Sequence, residues 1–360
     1  MKEEHMGLLL SNTDPKLIML AQKIFDQQFE ADPKLEREMD DRRKQLMFQD
    51  ILYNFSFLST AVHLEDEKIF TTYASWLYEL LCNLMRDLDR DRIKDQMVDH
   101  YAIIRKFVDE LFSPEEGKRA SAYLDRAIAI TDESVASFPV SQRFSEGKHV
   151  DIRKEYLSAL MRSETHQAID VILKARQSGI PLEEIFEDII MITMHEVGEL
   201  WHQNRITVDK EHYCTSTTQM VLSMFYPDIF GTPRTQRMII TCCVGSELHE
   251  MGGRMVSDLF EYRGWDSIYL GAAVPRDSLL HAVEEHKPHL VALSVTMPQY
   301  LGLCREAVYA LKDAHPSVRV AVGGRAFATS DGLHRKWPVD MYTSTASELL
   351  AWAEKEFNEL

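Results

Sequence analysis

Apolar residues recur at three- and four-residue spacing through the first third of the chain. Between residues 66 and 88, Ile69, Phe70, Tyr73, Trp76, Leu77, Leu80, Leu81 and Leu84 build one helix face. Between 91 and 112 the pattern returns with Ile93, Met97, Tyr101, Ile104, Phe107, Val108 and Leu111. Ser113-Pro114-Glu115-Glu116 predicts a helix start: a hydroxyl cap, proline in the first turn, and acids at the positive end of the helix dipole. Residues 1–133 therefore read as an all-helical domain. Over 134–150 periodicity is lost and serines collect with Pro and Gly, which predicts a linker. Helical spacing resumes from Tyr156 to about Phe230. Pro181-Leu182-Glu183-Glu184 opens one helix, with Ile185, Ile189, Ile192 and Val197 on its buried side. Residues 151–232 predict a small helical bundle.

After Pro233 the texture changes. Residues 238–244 form a short continuous apolar run, followed by shorter ones at 267–270, 290–295 and 318–322, and a weaker fifth at 339–343. Most precede a loop and then a helical segment. Such alternation predicts βαβ units around a parallel sheet buried on both faces, so residues 233–360 read as a flavodoxin-like (Rossmann-type) domain of five parallel strands. The fold class is thus mixed: an α domain, an α bundle and an α/β domain. Ligands of such sheets sit beyond the carboxyl ends of the strands. Candidate site residues should follow each apolar run.

Composition narrows the function. The chain holds 40 basic and 57 acidic residues, a net charge of −17. That balance repels nucleic-acid phosphates unless a local basic patch exists. The densest basic stretch, Arg42-Arg43-Lys44, follows Glu38, Asp40 and Asp41 and reads as a solvated helix, so direct DNA binding is not expected. No apolar run reaches the roughly 18–20 residues needed to span a bilayer, and the N-terminus shows no signal-peptide pattern. Cys82, Cys214, Cys242, Cys243 and Cys304 form no CxxC pair, which predicts a reducing, cytoplasmic setting. Cys242 and Cys243 lie in an apolar run and read as buried small hydrophobes.

The first strand leads into Gly245-Ser-Glu247-Leu-His249-Glu-Met-Gly252-Gly253. A histidine there can reach a ligand above the sheet, and a carboxylate two residues earlier can accept its other ring N–H, fixing the tautomer. Gly252 leaves room for a bulky ligand. The blander alternative is a solvated or helix-capping histidine. Arg254, Asp258 and Glu261 on the following helix read as solvated, and Met191, Met194, Met220 and Met224 as gap-filling core.

Glu-x-His-x-x-Gly after a first strand resembles the cobalamin-binding signature of the methionine-synthase-like corrinoid proteins. Leu270-Gly271, Ser294-Val295-Thr296 and Gly323-Gly324 follow at the ends of the next three strands. The resemblance covers about residues 236–358. It implies that His249 is the lower axial ligand of cobalt, with Glu247 behind it. Ser294 and Thr296 would bond the polar groups of the displaced nucleotide tail, and Gly323 and Gly324 would let it pass close to the backbone. Glu247 departs from the aspartate of many members; the charge is kept with a longer reach.

Upstream, nine residues separate Trp201 from Glu211-His212. This resembles the Trp-x9-Glu-His signature of the light-sensing cobalamin proteins typified by the CarH-type repressors, over about residue 153 to the end. The resemblance implies that Trp201, Glu211 and His212 cover the upper axial group. It also implies that His202 is a possible cobalt ligand after photolysis. Without it, Trp201 reads as a core residue, and His195, Glu199 and His202 share one helix face as a possible zinc or iron site. CarH-type repressors begin with a DNA-binding domain, but residues 1–133 show no basic recognition helix. They suit a sensor or dimerisation bundle, globin-like in one form, and His63 and His100 are the candidate contacts for a bilin or haem, or else surface and capping residues.

The expectation is a cytoplasmic sensor, not an enzyme. It would hold adenosylcobalamin (or methylcobalamin) base-off with His249 on cobalt, and change conformation when light breaks the Co–C bond. It would self-associate and signal to a partner protein, since nothing in the chain supplies an output enzyme. The alternative is a corrinoid methyl carrier of a methyltransferase system. A mutase subunit lacks its substrate barrel here, and a plain flavodoxin-like binding module predicts no cobalamin binding.

Overall fold

The computed structural model describes residues 15–134 and 142–358, which cluster into two compact units. Of the predicted linker, 135–141 lie outside the described residues, as do residues 1–14 at the N-terminus.

The first unit is helical, built on α1 (Pro15–Ala31), α2 (Asp41–Leu64), α3 (Glu67–Leu84), α4 (Arg90–Arg105) and α5 (Pro114–Glu133). Polar caps set the starts. Asp40 accepts from the Arg43 amide at 2.7 Å. Asp66 accepts from the Lys68 amide at 3.1 Å. Glu116 accepts from the Ser113 amide at 3.1 Å, the reciprocal half of a capping box. The predicted run over 91–112 is broken. The amides of Lys106 and Phe107 bond back three residues to Ile103 and Ile104, closing α4 before a short turn at Val108–Leu111. Arg43 pairs with Asp87 at 3.1 Å and Lys44 with Glu36 at 3.7 Å in exposed settings, so the basic stretch is a solvated helix start. Segments 297–305 and 325–333 also cluster with this unit. There Asp66 accepts from the Asp331 amide at 2.7 Å, and Lys68 donates to the Ala328 and Ser330 carbonyls.

The second unit holds both the predicted bundle and the predicted sheet. Its bundle comprises α6 (Val150–Met161), α7 (Thr165–Gln177), α8 (Ile192–His202) and α9 (Val208–Ser223). Its strands are β1 (Met238–Val244), β2 (Asp266–Val274), β3 (Leu290–Ser294), β4 (Arg319–Gly323) and β5 (Met341–Thr343), all parallel in the order β2-β1-β3-β4-β5. Five apolar runs thus give five strands. β1 is buried at six of its seven positions, as a strand covered on both faces must be. The helices α10 (Met251–Tyr262), α11 (Arg276–His286), α12 (Leu301–Ala314) and α13 (Ala346–Asn358) follow strands. Bundle and sheet share one core: Ile185, Phe186, Val221 and Phe225 join Ile239, Met255, Leu259 and Phe260 in a single cluster. Neither layer hides its apolar face without the other.

One local winding departs from the sequence pattern. Ile185–Met191 is π-helical and runs directly into α8. The wider turn absorbs an extra residue and shifts the buried face. Ile185 and Ile189 are buried as expected, but Ile190 and Thr193 are buried beyond them while Ile192 is only half-buried. Part of the predicted linker is also tied down. The guanidinium of Arg153, 1 % exposed, donates to the carbonyls of Phe144, Glu146, Lys148 and Asp188.

Candidate cobalamin site

The loop after β1 turns at Gly245, whose φ is +63°, and its amide bonds to the Val274 carbonyl of β2. Glu247 follows with no solvent exposure. One of its carboxylate oxygens accepts from the His249 amide at 2.9 Å and lies 2.6 Å from His249 Nδ1. The other accepts from the Thr296 amide at 2.8 Å. A buried carboxylate is tolerable because all of this polarity is met by donors. The His249 ring is 58 % exposed, which leaves Nε2 facing outward while Nδ1 is held. The Glu247 carboxylate raises the His249 pKa above the ordinary histidine value against the effect of burial, and the charge of Glu211 adds to the rise.

The predicted glycines differ in what they do. Gly324 has φ +101°, and a Cβ there would meet the Val295 carbonyl oxygen at 2.2 Å; only glycine fits. Gly323 lies at the β4–β5 pairing, where a Cβ would come 3.0 Å from the Thr343 carbonyl oxygen. Gly271 marks a shift in the β1–β2 register at φ +85°, just after Leu270. Gly252 is less constrained: a Cβ there meets only Met191 Cε, at 3.8 Å. Ser294 ends β3, and Thr296 lies two residues on. His249, Ser294, Thr296, Gly323 and Gly324 thus share the carboxyl-end rim of the sheet, beside the switch point between β1 and β3. The donor set and this backbone cradle fit a cobalamin.

The upstream constellation sits on the bundle. Trp201 lies in the last turn of α8 and is 37 % exposed, so it is not a core residue. His202 beside it is buried. Asn204, in the left-handed region, turns the chain toward α9. Glu211 falls in the first turn of α9, accepts from Thr215 Oγ1 at 2.8 Å, and pairs with the exposed His212 at 2.6 Å.

Several expectations change. Asp258 and Glu261 are buried rather than solvated, because α10 packs one face against β1 and β2. Glu261 accepts from the Ser267 amide at 2.8 Å and pairs with Arg234. Arg254 lies over the rings of Tyr226 and Tyr269 and bonds the Tyr226 hydroxyl. Met191 and Met194 pack on the core, but Met220 and Met224 are exposed. His195, Glu199 and His202 do not converge: among the described residues the one group with metal-ligand proximity is His149, Glu184 and Asp188. His100 is held from both ring nitrogens, by Gln28 at 3.2 Å and Asn54 at 3.4 Å, and burial drops its pKa to about 4. His63 is bonded to the Ser59 carbonyl and lies 3.6 Å from Glu116.

One element had no sequence signal. Glu250 accepts from Gln219 of α9 at 3.2 Å and from the Tyr269 hydroxyl of β2 at 3.1 Å, fastening bundle to sheet beside the histidine loop. The partners are 31 and 19 residues away.

Comparison with known proteins agrees with this geometry. Residues 237–346 match the B12 binding domain family, and residues 152–226 match a second B12 binding domain family. Dimethylamine corrinoid protein 3 of Methanosarcina acetivorans is 23 % identical over 208 residues, 56 % of this chain and 94 % of its own length. The HTH-type transcriptional repressor CarH of Myxococcus xanthus is 23 % identical over 248 residues, 61 % of this chain and 82 % of its own. The solved Methanosarcina barkeri monomethylamine corrinoid protein shares the fold with a TM-score of 0.52 at 18 % identity, covering 57 % of this chain and 99 % of its own.

Proposed function

From a C-terminal half made of two B12-binding domains, we propose that this chain is a light-responsive cobalamin sensor that signals through a protein partner and not through DNA. Cobalamin as the ligand follows from those domains; the light response is the further step. When bound, adenosylcobalamin supplies a cobalt–carbon bond that light can break. The chain supplies everything else. Glu247 holds the His249 proton at Nδ1, so that Nε2 is the nitrogen offered to cobalt. Ser294 and Thr296 bond the polar groups of the tail, and Gly323 and Gly324 keep its path open. Trp201 would cover the upper group, Glu211 and His212 would hold it, and His202 would be the residue available to cobalt once that group is lost.

The observation that carries this reading is Trp201, which is 37 % exposed at the end of the bundle instead of buried in its core, with Glu211 paired to His212 at 2.6 Å in the first turn of the next helix. A cap built around a Trp/Glu/His set suits storage of a large upper group. The movement freed by its loss would change self-association or a partner surface.

The second reading is a corrinoid methyl carrier, supported by the similarity to a dimethylamine corrinoid protein. A carrier must open its upper face to a donor and an acceptor. The test is the absorption spectrum and the size-exclusion volume of the full chain loaded with adenosylcobalamin, in the dark and after green light. An irreversible spectral change with a change in association supports the sensor. Cobalamin binding with neither response, together with dark turnover of the methylated form by a methyltransferase, transfers the assignment to the carrier.

A further inference from the structure

We propose a divalent transition-metal site at His149, Glu184 and Asp188, apart from the His249 loop. One ligand atom from each residue lies within 4.8 Å of the other two. One imidazole with two carboxylates is a donor set suited to zinc and its neighbours, and less to magnesium or calcium, which prefer all-oxygen shells. All three residues are partly buried, so the site is shielded yet reachable.

The frame around it is rigid. His149 precedes α6, and Arg153 one turn later binds the carbonyls of Lys148 and Asp188, fixing the two sides of the cluster against each other. Glu184 immediately precedes the π-helical turn and Asp188 lies within it. Such turns are rare and concentrate at functional positions. In the present arrangement His149 Nε2 lies 2.7 Å from one Glu184 oxygen, and the Lys148 ammonium lies 2.9 Å from the other. The Lys148 side chain is 66 % exposed and can swing into solvent. An ammonium thus supplies the positive charge that a metal ion would supply, and the two compete for the Glu184 carboxylate.

This competition separates a metal site from a plain ion-pair cluster. Zinc titration of the full, chelator-stripped chain by calorimetry is the experiment, run beside His149→Ala, Asp188→Asn, Lys148→Ala and His249→Ala. The expected result is one zinc equivalent that is retained in His249→Ala and lost in His149→Ala and Asp188→Asn. In Lys148→Ala it should be tightened, by up to about fivefold, the span of an exposed ion pair. Circular dichroism at the working temperature confirms that each variant is folded. No zinc binding by folded wild-type chain, or binding that survives His149→Ala, or weaker binding in Lys148→Ala, overturns the proposal.

Discussion

Glu247 and His249 are joined twice, through the imidazole at 2.6 Å and the backbone amide at 2.9 Å, by a carboxylate with no exposure to solvent. The two hydrogen bonds fix ring and loop together. Glu247→Gln should therefore keep the fold but weaken cobalamin binding by about 10–100-fold, the usual cost of losing the group behind a metal-bound histidine. His249→Ala should abolish the His-ligated spectrum. Titration followed by absorption reads both, and unchanged affinity in Glu247→Gln would mean that the carboxylate serves only the loop.

The raised pKa of His249 carries a pH dependence. A histidine whose folded value exceeds its unfolded value, about 6.5, adds stability that is fully present below that unfolded value. That stability is lost as pH rises through the folded value. Cobalt needs the neutral ring, so binding runs the opposite way and weakens as pH falls below the raised value. Cobalamin affinity measured from pH 8 down to pH 5 should fall, with a midpoint that moves lower in Glu247→Gln. A flat profile would show that His249 does not reach cobalt.

Gly324→Ala places a Cβ 2.2 Å from the Val295 carbonyl and forces a left-handed residue. Backbone strain of this kind costs on the order of 1–3 kcal/mol. The variant should lose at least that much in urea unfolding and bind cobalamin more weakly. Gly252→Ala, with only an ordinary contact at 3.8 Å, should be nearly neutral in stability.

Burial lifts the Asp258 pKa to about 6, against the pull of Arg254. A carboxyl whose folded value lies above its unfolded value binds more protons when folded, so stability falls as pH rises from about 4 to about 6. Asp258→Asn should remove that slope and stabilise the chain at pH 7 by up to roughly 3 kcal/mol. Thermal melts at pH 4.5 and 7 compare the two. A loss of stability at pH 7 would instead show that the 3.9 Å pairing with Arg254 outweighs the desolvation.

Much of this was legible in the residues. Continuous apolar runs mark strands that are buried on both faces, and β1 was visible to the residue for that reason. The motif after β1 was legible because its partners lie two residues apart. The Thr296 amide on Glu247, and Gln219 with Tyr269 on Glu250, were not, because they are tertiary contacts with no local spacing to betray them. Asp258 and Glu261 read as solvent-facing because charge is a poor guide where a helix packs a second face on a sheet. Arg153 hid in an apparent linker because its partners are backbone carbonyls, which leave no trace in side-chain identity.

The π-helical turn at Ile185–Met191 makes Trp201 dependent on length as well as on identity. An α-helix advances about 100° per residue. Because the wider turn absorbs an extra residue, deleting one residue within it would restore ordinary winding and leave the helix beyond it facing as it does now. Deleting one residue after the turn, between Met191 and Trp201, would instead rotate the indole by that angle while Glu247 and His249 stay untouched. Insertions and deletions here, rather than substitutions, are therefore the changes by which the bundle surface around Trp201 could be retuned independently of the His249 loop.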